Sequence, residues 1–474
     1  MKIEQIYTGC IAEAAYYIVS EGEAAIVDPL RETQPYIERL QRDNVKLKYI
    51  FETHFHADFV SGHVDLAKQT GATIVYGPTT MKTGFEMYVG TDEEIFELGS
   101  SKIKLIHTPG HTLESSCFLL INEKGIEEGI ITGDTLFIGD VGRPDLAQHV
   151  IADLTQDKLA RLLYHSLRNK LMPLSDDLIV YPNHGAGSAC GKNMSKETTD
   201  TLGNQKKTNY ALNPNLSEDD FVLALLTGLT MPPQYFPKNV LMNINGYESL
   251  DTIMHRAHKP YDAKSFEIVA NETRALILDT RRAEEFAKGF IPNSINIGLE
   301  GNFASWVGEL IFDLNQKILI VAEDNSKVDE AIIRLSRVGY DHAIGYLDGG
   351  FKSWKNSDCE IDRVQRITAQ ELERKYKTEP NLKLIDVRKS SEYESEHIEG
   401  SLNIPLNVLS SRLSELSKTE PFIVYCLGGY RSMIAASILK QKGFDNFVDV
   451  EGGFNEIKKT ALPKSDYVCP TTLL

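Results

Sequence analysis

The chain has 474 residues, 42% hydrophobic and 25% charged, with a formal net charge of -17. That is about three times an ordinary domain of roughly 150 residues, so several independent cores are expected, and the composition excludes a disordered or fibrous chain. The acidic excess repels nucleic acid. Met1–Gln5 lacks a signal-peptide flank and no apolar run approaches ~20 residues, so a cytoplasmic protein without membrane association is expected.

From the N-terminus, short β-type runs at 24–27 and 47–51 alternate with amphipathic helical stretches such as 36–42, which reads as α/β. Residues 204–242 turn polar and then Pro-rich, with a helical run at 218–226 ending near Gly228. This segment is expected to be the C-terminal appendage of a first domain spanning 1–240. The remainder repeats itself with a period of about 105 residues, too long for a solenoid. Leu276-Ile277-Leu278-Asp279-Thr280-Arg281 matches Leu384-Ile385-Asp386-Val387-Arg388, and Leu347-Asp348-Gly349-Gly350-Phe351 matches Val450-Glu451-Gly452-Gly453-Phe454. Two copies of one α/β domain, at 261–360 and 366–464, follow from this.

Four turns in the first domain carry metal-ligand residue types. Thr53-His54-Phe55-His56-Ala57-Asp58 follows the strand at 47–51, and side chains two apart on extended backbone share a side, so His54 and His56 can converge. Thr108-Pro109-Gly110-His111-Thr112, Thr132-Gly133-Asp134 and Tyr181-Pro182-Asn183-His184-Gly185 supply the others. Imidazoles and carboxylates at successive strand ends are what a divalent cation needs. His63, His107, His149, His165, His255, His258 and His342 lack such context and are expected to be surface or hydrogen-bonded residues.

This set resembles the metallo-β-lactamase superfamily, and the resemblance covers residues 1 to 240. It implies a βαβα sandwich. Binuclear zinc hydrolases of that superfamily carry H-x-H-x-D-H, whereas here Phe59 follows Asp58, so one ligand of a second metal site is missing. The motif is similar to the persulfide dioxygenase branch, the ethylmalonic-encephalopathy-protein-like group. That likeness implies one Fe(II) per chain, held by His54, His111 and Asp134, with open positions for a persulfide sulfur and dioxygen. His56, Asp58 and His184 would orient ligands or water. Gly133 to Asp145 and His184 to Lys192 also look like segments of persulfide dioxygenase–rhodanese fusions. Arg143 there is either a carboxylate or backbone anchor for the thiol substrate or an ion-pair partner of an Asp such as Asp145. Cys190, six residues after His184, either lines the same cavity or is a buried small hydrophobe.

The six cysteines, Cys10, Cys117, Cys190, Cys359, Cys426 and Cys469, form no close pairs and hence no disulfide framework. Cys426 stands apart. In Phe422-Ile423-Val424-Tyr425-Cys426-Leu427-Gly428-Gly429-Tyr430-Arg431-Ser432 an apolar strand, a thiol, a Gly loop and a helix start succeed one another. Loop N–H groups and the positive helix end stabilise a thiolate or persulfide there, and Arg431 adds charge. The segment resembles rhodanese, with Asp386-Val387-Arg388 and His397-Ile398-Glu399-Gly400 as supporting marks. Four residues between cysteine and arginine make a shorter loop than the phosphatase C-x5-R. In the first copy the corresponding strand, 318–322, runs into Glu323, Asp324 and Asn325, with no thiol. That copy is expected to be catalytically inactive.

Taken together, the resemblances imply a persulfide dioxygenase and thiosulfate sulfurtransferase engaged in sulfide detoxification. A small persulfide, with glutathione persulfide foremost, would be oxidised by dioxygen to sulfite, and Cys426 would carry sulfur to sulfite to give thiosulfate. Homo-oligomerisation is compatible with such a chain. A glyoxalase II-like thioester hydrolase and a persulfide-binding sensor with a structural metal are the rivals.

Overall fold

The computed structural model describes residues 1–146, 154–229 and 231–469. The chain divides into two compact units: Met1–Thr252 with Leu335–Gly339, and Ile253–Arg334 with Tyr340–Leu474.

The first unit is built on two six-stranded sheets. One follows chain order: Lys2–Thr8, Glu13–Ser20, Glu23–Val27, Lys46–Phe51, Thr73–Tyr76 and Tyr88–Val89. The other runs Asp200–Thr201, Ile179–Pro182, Glu127–Gly133, Ser116–Ile121, Ser101–His107 and Ile95–Leu98. Side-chain alternation explains the sandwich. Tyr16, Ile18, Phe118 and Leu120 fill the core between the sheets, while Cys117, Leu119 and Ile130 face a second core shared with the helices Gln156–Ser166 and Glu218–Leu226. Strands buried on both faces read as unbroken apolar runs, as at 116–121.

The helix expected at 36–42 spans Gln34–Asp43, with Pro35 in its first turn and Asn44 closing it at φ 51°. The helix at Glu218–Leu226 lies where the sequence placed it, with the Ser217 hydroxyl accepting from the Asp220 N–H. The unit does not stop at 240, because the helix Phe236–Asn245 belongs to it. Asn243 is fully buried, donates to the carbonyls of His56 and Phe59 at 2.8 Å each, and accepts from the Ser61 N–H at 2.9 Å. A segment that looks like a polar appendage therefore clamps the turn that carries the histidines.

The second unit holds two parallel five-stranded sheets of the same topology. Their orders are Pro260–Tyr261, Ala343–Leu347, Ile318–Val321, Leu276–Asp279, Ile295–Asn296, and Arg366–Ile367, Phe447–Val450, Phe422–Tyr425, Lys383–Asp386, Leu402–Asn403. The repeat extends to single hydrogen bonds. Arg281 grips Asp279 and reaches the Gly289 carbonyl at 2.9 Å; Arg388 grips Asp386 and reaches the Glu396 carbonyl at 2.8 Å. Asn296 and Asn403 each donate twice to the carbonyls flanking those pairs. The guanidinium groups lie over Phe351 and Phe454 at 4.0 and 4.1 Å.

Removing one partner of a buried ion pair costs about 3–5 kcal/mol. Asp279→Ala is expected to destabilise the first copy by that order, measured by urea denaturation. A loss under about 1 kcal/mol would show that the pair does not hold the fold.

Candidate active sites

The metal-ligand residues come from turns at strand ends, as the sequence requires. His54 follows Lys46–Phe51, His111 follows Ser101–His107, Asp134 follows Glu127–Gly133, and His184 follows Ile179–Pro182. All are buried. Gly133 has φ +52°, and a Cβ there would lie 2.7 Å from that of Thr53, so only glycine lets the two strand ends close up.

The ligating atoms of His54, His111 and Asp134 lie within 4.8 Å of one another. His111 Nε2 is 3.4 Å and His54 Nε2 4.0 Å from Asp134 Oδ2. These separations are too long for hydrogen bonds. They approach the edge of about 3.3–3.4 Å that tetrahedral bonds of roughly 2.0–2.1 Å to a metal impose. Both Asp134 oxygens are buried without a hydrogen bond. A carboxylate left so is costly unless a cation completes it, and the residues fit a metal ion on that ground.

Neighbouring groups fix which nitrogen each ring offers. Thr53 Oγ1 donates to Asp28 Oδ2 at 2.9 Å, so at 3.0 Å from His54 Nδ1 it must accept, which leaves His54 Nε2 free for a metal. His111 Nδ1 faces the Arg143 carbonyl at 2.8 Å and His184 Nδ1 the Ala12 carbonyl at 3.1 Å, to the same effect. Burial, then the imidazoles of His56, His111 and His184, hold the His54 pKa well below the usual range. It is the neutral ligand form.

His56 differs. Its Nε2 lies 2.9 Å from Asp28 Oδ1 and 3.5 Å from Glu52 Oε2. Burial disfavours its charge, but Asp28 and then Glu52 outweigh burial and push its pKa up to about 9. Its Nδ1 is buried without a hydrogen bond. His63, expected to be a surface or hydrogen-bonded residue, is fully buried, its ring nitrogens make no hydrogen bond, and Nδ1 stands 3.6 Å from Glu52. His149 lies outside the described residues.

Asp58, His184 and Cys190 form a second group of ligand-type atoms within 4.8 Å. His184 Nε2 is 3.4 Å from Asp58 Oδ2 and 3.5 Å from Asp134 Oδ1. Cys190 thus reaches the site, and burial followed by Asp58 and Asp134 pushes its thiol pKa up. Arg143 forms the expected ion pair, donating to Asp145 at 2.6 Å through both Nε and Nη2. A small cleft of about 30 Å³, lined by Phe55, Ala57, His111, Leu113 and Ile244 among others, opens beside the cluster.

Asp28, Thr53 and Asn183 escaped the sequence reading. Asp28 holds Thr53, His56 and, at 2.8 Å, the Asn183 amide. The available signal was its own strand end, Ala24-Ala25-Ile26-Val27-Asp28-Pro29.

In the second unit Cys426 is buried at the end of Phe422–Tyr425, and its Sγ accepts the Gly429 N–H at 3.1 Å. The helix Tyr430–Gln441 begins there, after Gly429 at φ +99°. Arg431 is not a free cation, since it pairs with both oxygens of Glu392 at 2.6 and 2.8 Å. In the first copy the pairing of Asp279 with Val321, matching that of Asp386 with Tyr425, puts the buried Ala322 at the position of Cys426, and the exposed Glu323 follows it.

These features define a metallo-β-lactamase-type sandwich with a buried metal-binding centre, followed by two rhodanese-type domains. Residues 8–184 match the metallo-β-lactamase superfamily, and residues 263–357 and 368–460 each match the rhodanese-like domain. The crystal structure of a metallo-β-lactamase from Staphylococcus aureus subsp. aureus COL is 30% identical, covers 74% of this chain and 98% of its own, and superposes with a TM-score of 0.63. The chain belongs to the metallo-β-lactamase superfamily and carries two rhodanese-like domains. Hydroxyacylglutathione hydrolases from Pelagibacter ubique (37% identical over 127 residues) and Tolumonas auensis (33% over 171) match 26% and 35% of the chain. The chain spans 51% and 60% of those relatives' lengths.

Replacing His111 or Asp134 by Ala is expected to abolish metal retention, measured by elemental analysis of purified protein. Thr53→Val, which removes the acceptor for His54 Nδ1–H together with the hydroxyl bond to Asp28, is expected to weaken metal binding about 10- to 100-fold. Metal retained at wild-type affinity by all three would contradict this assignment.

Proposed function

We propose that the chain oxidises the terminal sulfur of a small thiol persulfide at one ferrous ion held by His54, His111 and Asp134, and that Cys426 carries sulfane sulfur to the sulfite formed. The observation that carries this reading is a two-histidine, one-carboxylate set with both Asp134 oxygens unpaired, beside Phe59 where a second-site imidazole would stand. Such facial sets suit non-haem iron that activates dioxygen. One persulfide, one dioxygen and one water give the thiol, sulfite and two protons, with four electrons passing from sulfur to oxygen. Glutathione persulfide is the substrate we assign.

The protein's own contribution is orientation and exclusion of water. Asp28 and Thr53 hold His54, and the Arg143 carbonyl holds His111. The Phe55 and Ile244 side chains make the neighbouring cleft apolar. At the second centre the Gly429 N–H faces Cys426 Sγ, where it stabilises the thiolate released when sulfur leaves. The first rhodanese-like copy takes no chemical part, having Ala322, followed by Glu323, where the carrier stands in the second.

A second reading is favoured by Asp58, His184 and Cys190. With Cys190 as a thiolate in place of the missing imidazole, these groups and Asp134 could hold a second metal, as a thioester hydrolase would need. The names of the curated relatives point the same way.

In the proposed scheme Cys426→Ser keeps the metal centre but cannot carry sulfur, because a serine hydroxyl is far less acidic than a thiol. Oxygen uptake is expected to persist with sulfite replacing thiosulfate as product, measured by chromatography of the reaction mixture. Loss of oxygen uptake, or continued enzymatic thiosulfate formation, would contradict it. Glu323→Gln is expected to leave both rates near wild type, and a large loss of thiosulfate without unfolding would show that the first copy takes part in the chemistry.

A further inference from the structure

The helix that starts at the Cys426 loop is buried to an unusual degree. Every residue from Ser432 to Leu439 is buried, whereas a helix lying on a sheet normally keeps one polar face in water. The first copy covers the other face. The Asn296 N–H donates to Ser437 Oγ at 3.0 Å, and Gln441 donates to the Asn293 carbonyl at 3.2 Å. Lys440 pairs at 2.9 Å with Asp362 in the segment that joins the two copies, which itself bridges to Phe290 of the first.

The contact nearest the thiol is made by Tyr430, the residue between Gly429 and Arg431. Its hydroxyl donates to the Gly298 carbonyl of the first copy at 2.8 Å. Its ring lies against Gly301, where a Cβ would stand 2.9 Å from ring atoms and φ is +138°. One side of Tyr430 is thus fixed by the first copy, and the other is one peptide bond from the N–H that faces Cys426 Sγ.

We propose that the first copy, which has Ala322 in place of the carrier cysteine, is a platform that fixes the Cys426 loop, with Tyr430 as the positioning residue. This rests on the reading of Cys426 as the sulfur carrier. In the transfer step the sulfite sulfur attacks the outer sulfur of the Cys426 persulfide, and the S–S bond breaks. Its electron pair returns to Sγ and thiosulfate departs. The Gly429 N–H must meet the charge that develops on Sγ, so tilting the loop raises the barrier without changing how the donor binds.

The test uses the full chain and sulfur transfer from thiosulfate to cyanide, with Cys426→Ser defining zero. Tyr430→Phe is expected to lower kcat by about 10- to 100-fold with KM for thiosulfate unchanged, while oxygen uptake and Tm stay at wild-type values. Gly301→Ala perturbs the same contact from the opposite side, so the double variant should be no slower than the slower single variant. Wild-type kcat in both single variants, with none in Cys426→Ser, would overturn the platform alone. Losses that appear in KM, or that follow a fall in Tm, would overturn it as well. Transfer persisting in Cys426→Ser would remove the carrier reading and the platform with it.

Discussion

A buried carboxylate with no donor governs the first unit. Asp134 sits at the end of a core strand with both oxygens unpaired, facing histidines from three other strand ends. Such a group is tolerated only if a cation completes it, and the surrounding structure serves that condition. Gly133 lets the strand ends approach, Thr53 and the Arg143 carbonyl turn the imidazoles, and Asn243 clamps the turn bearing His56 and Phe59. Arg143 supplies a carbonyl to the centre while its side chain is held by Asp145, so one residue braces the site from both ends.

The second unit shows what duplication preserves and what it releases. The Asp–Arg pairs at 279/281 and 386/388, their asparagine donors and their aromatic covers agree bond for bond. These are requirements of the fold, because an unpaired buried guanidinium would be costly in either copy. The strand-end position carries no such requirement, and there one copy has Ala322 and the other Cys426. The first copy nonetheless lies against the helix that follows Cys426.

Much of this was legible in the sequence because it rests on local chemistry. Turns at strand ends advertise ligands through Gly and Pro neighbours, and the repeat announces itself through Asp279-Thr280-Arg281 and Asp386-Val387-Arg388. The set His54, His111 and Asp134 does meet at one point. What escaped depends on long-range packing. Nothing near Asn243 in sequence indicates that it spans 187 residues to the His56 carbonyl, so the first unit was drawn too short. The pair that Arg143 makes with Asp145 through Nε and Nη2 is legible because the two residues are neighbours in sequence, whereas its carbonyl's bond to His111 is not. Asp28 looked like an ordinary residue after a strand. Cys190 was visible as a candidate, but its closeness to Asp58 and His184 is a tertiary fact.

The choice between redox chemistry and hydrolysis at Asp134 turns on one preparation of the intact chain, assayed for metal content, for oxygen uptake with glutathione persulfide and for hydrolysis of a glutathione thioester. The dioxygenase account predicts one iron per chain, oxygen consumed in equal amount to persulfide, and no thioester cleavage. Two zinc ions per chain with thioester hydrolysis and no oxygen uptake would contradict it.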